Sequence, residues 1–270
     1  MADIIAQPVH SHVVKRPSDP LPEGVFGAGR TERCVEVPWA ESWLRGRSKI
    51  LDIGFALSDL DWLRTLLGHG RAGASITAVD IIAPLRVASR YPDDLRDQAL
   101  AVPIISGDVR TAAIQPASFD TITCISTIEH IGFDAAGSTP DSAFARWRTL
   151  EDTPTERDPS VTASVLAAFR SALSIGGLLI ISVPMGRGGA VPVRDSLGFY
   201  TRQHEYNAET WPEISQAEGF GLVEQRFFGW LGEGGEGWSE VFAPDALADR
   251  TAWLTPHAMG VALAVLERVS

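Results

Sequence analysis

Lys49-Ile50-Leu51-Asp52-Ile53-Gly54-Phe55-Ala56-Leu57-Ser58 is the stretch whose reading decides the fold. It is a short apolar strand that ends in a carboxylate and runs into a turn of small residues. Further along comes a second apolar strand with an acidic end, Ile76-Thr77-Ala78-Val79-Asp80. A strand, a tight turn, a helix and a strand closed by a carboxylate form a site for a nucleoside-bearing ligand at the edge of a parallel α/β sheet.

Working outward, the pattern alternates between strands and helices. Upstream, residues from Thr31 carry Val35, Trp39, Trp43 and Leu44 on one helical face, and Gly46 suits a left-handed C-terminal cap. Downstream, Asp59 to Leu67 reads as a helix capped by Ser58 and stopped by Gly68-His69-Gly70. Leu85 to Gln98 reads as a helix interrupted at Pro92, followed by a strand over Val102 to Ile105. Phe119 to Ile125 is nearly all apolar, as a strand covered on both faces should be. Val161 to Leu173 is an amphipathic helix ending at Gly176-Gly177, before a strand from Leu178 to Val183. A helix over Ala208 to Ala217, a strand over Leu222 to Phe228 and a last strand over Val261 to Arg268 complete the pattern. Such alternation predicts a doubly wound α/β fold with helices on both faces of a mostly parallel sheet. Residues 1–30, rich in Pro, Gly and Ser, read as an N-terminal arm or lid. Residues 31–270 read as the domain, with a polar insertion at 133–160 beside the ligand edge.

Composition narrows the partners. The 270 residues are 45% hydrophobic and 21% charged, which suits an ordinary globular core. The net charge of -11, from 23 basic and 34 acidic residues, repels phosphate backbones and anionic membranes, so neither nucleic acid nor membrane is expected as a partner. Two cysteines, Cys34 and Cys124, make neither a disulfide framework nor a zinc site, and no local ligand spacing predicts a metal. No apolar run is long enough to span a bilayer, and the N-terminal residues lack the pattern of a secretion signal, so the expected compartment is the cytoplasm. Of the eight tryptophans, several of them in the terminal segments (Trp39, Trp43, Trp230, Trp238 and Trp253), most are expected to close the sheet's edges and some to line an acceptor pocket.

The turn chooses between ligands. A dinucleotide fold wants three glycines after the first strand, with a pyrophosphate on the helix N-terminus. Here only Gly54 is a glycine, and Asp52, two residues earlier, would repel a pyrophosphate and suit a cationic ligand. Five elements in order resemble the class I S-adenosylmethionine-dependent methyltransferases over most of the chain. They are Ile50 through Ser58, the acidic end at Asp80, the Gly107-Asp108-Val109 turn, Phe119 through Gly132, and Leu173-Ser174-Ile175-Gly176-Gly177-Leu178 through Pro184. The chain departs from that family's pattern at Ala56 and Ser58, where it has glycines, and at Ile175, where it has proline.

The resemblance implies a seven-stranded sheet with its last strand antiparallel. It also implies S-adenosylmethionine as cofactor, held by Asp52, Ile53, Gly54, Phe55, Asp80, Ile81, Gly107, Asp108, Val109 and Ser126. Asp80 would take the ribose hydroxyls and Asp108 would lie near the adenine amino group. Glu129-His130 falls just past the fourth strand, where the methyl acceptor would lie, and His130 is the candidate base because imidazole accepts protons near neutrality. His204 and Tyr206, in a polar and aromatic loop from Phe199 to Tyr206, are candidate acceptor contacts alongside Glu129, with His204 an alternative base. The expected reaction is methylation of a small-molecule acceptor, at a hydroxyl first, on a sugar or other secondary metabolite. The residues leave open N- or C-methylation, an NAD-dependent oxidoreductase, a non-catalytic cofactor-binding relative, and a homodimer.

Overall fold

Each strand of the central sheet alternates between two apolar layers, and that alternation places the helices. Ile50 of β2 (Lys49–Ile53) packs in one layer and Leu51 and Ile53 in the other. The same division recurs on the last strand, where Val261, Leu263 and Val265 face one layer and Ala262, Ala264 and Leu266 the other. The computed structural model describes residues 7–9, 31–133, 156–194, 200–230, 237–252 and 257–270. In it, α1 (Arg33–Leu44), α2 (Leu60–Arg71) and α3 (Asp93–Ala101) cover the first layer. Helix α4 (Val161–Ala172) and the single turn α5 (Pro212–Ser215) cover the second.

The strands are β1 (Gln7–Val9), β2, β3 (Ser75–Asp80), β4 (Ile104–Ser106), β5 (Phe119–Ile125), β6 (Leu173–Pro184), β7 (Gly189–Arg194), β8 (Tyr200–Glu205), β9 (Phe220–Trp230), β10 (Trp238–Val241) and β11 (Gly260–Arg268). Nine of them form one sheet in the order β1-β10-β9-β11-β6-β5-β2-β3-β4. Strands β2 to β6 are mutually parallel, and β11 lies antiparallel between β6 and β9. The chain winds from β2 outward to β4, then returns to β5 and β6 on the other side. Such a reversal opens a crevice outside the carboxyl ends of β2 and β5.

Several expectations are corrected. The sheet has nine strands rather than seven, because β10 and residues 7–9 extend it past β9. The rest of the expected arm, and residues 134–155 of the expected insertion, lie outside the described residues. The segment expected as a loop from Phe199 is largely β8, paired antiparallel with β7 in a separate two-stranded sheet. Helix α2 runs through Gly68 and Gly70 to Arg71, and its N-cap is Asp59, whose side chain accepts from the Asp61 amide. The packing of Trp62, Leu63, Leu66 and Leu67 outweighs the glycine propensities there. The helix expected from Leu85 splits at Pro92 into a 3-10 segment (Pro84–Arg90) and α3. Gly176-Gly177 sits inside β6 rather than before it, and the helix expected over Ala208 to Ala217 shrinks to α5. Trp39 and Trp238 are core residues, with Trp43 and Trp230 packed against them. Trp253 lies outside the described residues.

Candidate functional site

The turn after β2 is built around one left-handed residue. Gly54 has φ 86°, and a Cβ there would lie 2.5 Å from the Thr127 side chain, so both backbone and neighbour demand glycine. Ser58 has φ -52°, and Ala56, in the 3-10 turn Phe55–Leu57, is not among the residues of positive φ. This is why side chains are tolerated where the resembled family has its second and third glycines.

Asp80, at the carboxyl end of β3, ties this turn to the next loop. Its Oδ2 accepts from the Ala56 amide at 2.7 Å and its Oδ1 from the Ile82 amide at 2.7 Å. Tyr91, buried behind the turn, donates its hydroxyl to the Ala56 carbonyl at 2.9 Å. The Gly107 amide donates to the Asp80 carbonyl, and a Cβ at Gly107 would meet no atom within 4 Å among the described residues. Asp108 accepts from the Arg110 amide and guanidinium. Burial pushes its carboxyl up, and those hydrogen bonds from Arg110 more than reverse the effect, so it titrates below the ordinary range. Ile81 is partly exposed beside Asp80, whereas Ile53, Phe55 and Val109 are buried.

Asp52 is placed differently from the expectation. Its side chain is 0% exposed, lying beneath the turn, where Oδ1 accepts from Thr123 Oγ1 at 2.6 Å and Trp62 Nε1 at 3.1 Å. Burial raises its carboxyl to about 7 despite both hydrogen bonds. A strand-end carboxylate alternates to a face set by register, and here that face is the α2 layer. Asp52 therefore braces the turn through Oδ1, while its Oδ2 is buried without a hydrogen-bond partner among the described residues.

The other half of the site is the tip of β5. Ser126 has φ 44°, an unusual conformation for serine, and the tip is held there by several bonds. Its amide donates to Ser182 Oγ and to the Ser182 carbonyl, while its hydroxyl donates to Glu36 Oε1 at 2.7 Å. Past it, Arg157 donates to the carbonyls of Ile128 and Ile131, clamping the segment that carries Glu129 and His130. Strand β8 grips the same segment: the His204 amide donates to the Glu129 carbonyl at 2.8 Å, and His130 Nδ1 lies 3.1 Å from the Arg202 carbonyl. A carbonyl only accepts, so Nδ1 carries the proton and Nε2 keeps its lone pair. Burial, reinforced by Arg33 and Arg157, lowers His130 to about 4 even though the Arg202 carbonyl opposes the shift, so the ring is neutral near pH 7.

The carboxylates around this tip are crowded. Glu129 is buried, with Oε1 4.0 Å from His130 Nε2 and Oε2 without a hydrogen-bond partner among the described residues. Burial raises it to about 8. Three charged residues that sequence reasoning missed, Glu32, Arg33 and Glu36, enter from the N-terminal end of α1. Arg33 donates to Glu36 Oε2 at 2.5 Å, and Glu32, raised by burial to about 7, sits with Oε2 3.8 Å from His257 Nδ1. The available signal was Glu32 and Glu36 at i, i+4 spacing within an otherwise apolar helical face.

The candidate acceptor contacts divide. His204 is partly exposed and stacks edge-on against Tyr206 at 4.8 Å, and burial lowers it to about 4. Tyr206 is 0% exposed, with its hydroxyl in hydrogen-bond reach of Thr162 Oγ1 and the Arg157 guanidinium. Tyr206 is thus a buried brace for Arg157, which corrects its expected role as an acceptor contact. No group of three or more His, Cys, Asp or Glu residues arranged to hold a metal occurs among the described residues. No helix among them is long and apolar enough to cross a membrane.

The order β4-β3-β2-β5-β6-β11-β9, with a left-handed glycine after β2 and a carboxylate ending β3, is the class I fold of the S-adenosylmethionine-dependent methyltransferases. The chain is similar to such a methyltransferase from Methanosarcina mazei, with a TM-score of 0.53 and 14% identity over 86% of this chain and 97% of that one. It is also similar to a 1,6-didemethyltoxoflavin N1-methyltransferase from Burkholderia thailandensis, with a TM-score of 0.48 and 16% identity over 87% and 79% of the two chains. A third likeness is to a glycopeptide N-methyltransferase complexed with sinefungin, with a TM-score of 0.48 and 12% identity over 85% and 91%. No protein-family model matches the chain, and no curated protein matches it in sequence.

Proposed function

We propose that this chain moves a methyl group from S-adenosylmethionine to a small-molecule acceptor, at a hydroxyl. The observation that carries the reading is Asp80, whose carboxylate joins the left-handed Gly54 turn to the loop after β3 at the carboxyl edge of the sheet. The residues fit the cofactor on two further counts. A Cβ at Gly107 would meet no atom within 4 Å among the described residues, and two buried carboxylate oxygens, of Glu32 at the N-terminal end of α1 and of Glu129 past the tip of β5, have no hydrogen-bond partner among the described residues. A positively charged ligand would satisfy them.

S-adenosylmethionine, when bound, supplies a methyl group activated on a sulfonium. The chain's own part is to hold, orient and deprotonate. Asp80 would take the ribose hydroxyls, and the partly exposed Ile81 with the backbone of Gly107 to Val109 would border the base. Gly54, Phe55 and Ser126 would line the methionine end with Glu32 and Glu129. His130 Nε2 would accept the proton leaving the acceptor hydroxyl, its orientation set by the Arg202 carbonyl and by the Arg157 clamp. Positioning by β8 and Arg157 supplies most of the catalysis on this reading. An amine acceptor is the second reading, favoured by the buried carboxylate of Glu129 next to that neutral ring.

Thermal unfolding tests the cofactor: S-adenosylmethionine should raise the melting temperature and NADH should not. Stabilisation by NADH alone would overturn the reading in favour of an oxidoreductase. Formation of S-adenosylhomocysteine with a panel of hydroxyl and amine acceptors then separates a methyltransferase from a cofactor-binding relative.

A further inference from the structure

The tip of β5 gathers more carboxylate than its cations neutralise. The Arg33 guanidinium is committed to Glu36, whose second oxygen is taken by Ser126. Glu32 lies farther off, with Oε1 3.9 Å from Arg33, and its Oε2 has no hydrogen-bond partner among the described residues. Glu129, on a different element, likewise has an unpartnered Oε2 and is 2% exposed. Glu32, Glu36 and Glu129 outnumber the guanidiniums of Arg33 and Arg157, so the excess buried carboxylate must hold a proton or a cation, because an uncompensated buried charge is expensive. The sulfonium of the proposed co-substrate is such a cation.

Resting on the function proposed above, we propose that Glu32 and Glu129 read the charge on the bound sulfur. They give up their protons to hold the sulfonium co-substrate and keep them beside the neutral thioether product. The site therefore prefers S-adenosylmethionine over S-adenosylhomocysteine more strongly as pH rises. This makes the two glutamates specificity-determining residues that help the spent cofactor leave.

The surroundings support two responsive groups. Glu32 faces Arg33, Glu36 and Asp59, and His257 from the segment before β11. Glu129 faces Glu36, Arg33, Arg157, His130, Cys124 and Tyr206. Burial lowers His130 and His257 and raises the Cys124 thiol and Tyr206 hydroxyl, which keeps these four neutral near pH 7. The carboxylates around Arg33 outweigh its burial and hold it charged. Burial places Glu32 at about 7 and Glu129 at about 8, inside the range where enzymes are assayed. Asp52, at about 7, is enclosed beneath the turn by Trp62 and Thr123.

The test is calorimetric titration of the full chain with each cofactor form from pH 6 to 9, in two buffers of different ionisation heat. Each proton released on binding raises affinity by up to about tenfold per pH unit below the group's titration point. S-adenosylmethionine should thus bind at least about tenfold more tightly at pH 8 than at pH 6 and release protons, while S-adenosylhomocysteine should change less than about threefold. The two share the same amino-acid portion, so its own titration cancels in the ratio. Glu129→Gln and Glu32→Gln, with folding checked by circular dichroism, should each flatten the ratio. A wild-type ratio constant from pH 6 to 8, or binding without proton release, overturns the inference while leaving cofactor binding intact. Failure of both ligands to bind at any pH is a separate result, which overturns the proposed function and this inference with it.

Discussion

Replacing Asp80 tests both the architecture of the turn and its use. The carboxylate accepts two backbone amides at 2.7 Å while 8% exposed, and one of those amides belongs to Ala56, which is 0% exposed. A hydrogen bond to a charged group contributes about 1.5–3 kcal/mol net, and a buried donor left unmatched costs about 1–3 kcal/mol. Asp80→Ala removes both bonds, and relaxation of the loops lets water recover part of the loss. A destabilisation of about 3 kcal/mol follows, which for a domain of this size lowers the melting temperature by about 6–12 °C. Asp80→Asn keeps one acceptor but turns an NH2 towards the other amide, so it should fall between the two. Cofactor affinity, read by titration calorimetry below each variant's transition, should drop more than about tenfold, equivalent to about 1.4 kcal/mol. Native thermal stability in Asp80→Ala would refute the bracing argument. A folded variant with wild-type cofactor affinity would refute the placement of the ribose.

Two further predictions concern protons. His130→Ala should lower turnover by about 10²-fold or more while leaving cofactor affinity within about twofold, since general-base help is of that size; wild-type turnover would return His130 to a packing role. Because His130 titrates at about 4, its limb of the pH–rate profile lies well below neutrality, and a limb near pH 6.5 would contradict the buried, neutral ring. The ligand-free chain should also lose stability as pH rises above about 6.5. Asp52, Glu32 and Glu129 titrate at about 7, 7 and 8 when folded, against ordinary values of 3.8, 4.5 and 4.5, so between those limits the folded state holds the more protons. Their contribution is complete below pH ~4, shrinks by at most about 1.4 kcal/mol per pH unit for each group, and is gone above pH ~8. Asp108 and Asp120, which titrate below their ordinary range, act oppositely in acid, and the buried histidines His130 and His204, at about 4 when folded, with His69 and His257, also lowered, act oppositely up to the ordinary histidine value of 6.5. Urea midpoints at about pH 7, 7.5 and 8, above the range in which the histidines contribute, isolate the carboxylates, and midpoints that stay level or rise there would refute the argument.

The parallel core was legible because its signals are local. Ile50 to Ile53, Ile76 to Val79 and Phe119 to Ile125 are apolar runs bounded by turn residues, and their order along the chain implies the winding. Gly54 was legible as well, since a left-handed turn admits little else. What escaped depended on partners distant in sequence. The strands β7, β8 and β10 lack an apolar run of their own and exist through pairing. α2 crosses two glycines because tertiary packing holds it.

The same division runs through the site. The sequence by itself determined which residues stand at the carboxyl edge of the sheet, because strand ends and turns are written in neighbouring residues. Only the tertiary structure decided which way their side chains face and what they meet. It turned Asp52 inward onto Trp62 and Thr123, buried Tyr206 behind Arg157, and brought Glu36, paired with Arg33, from α1 against the tip of β5. The physical reason is that side-chain direction follows register and packing, and the charge state of a buried carboxylate follows its neighbours in space.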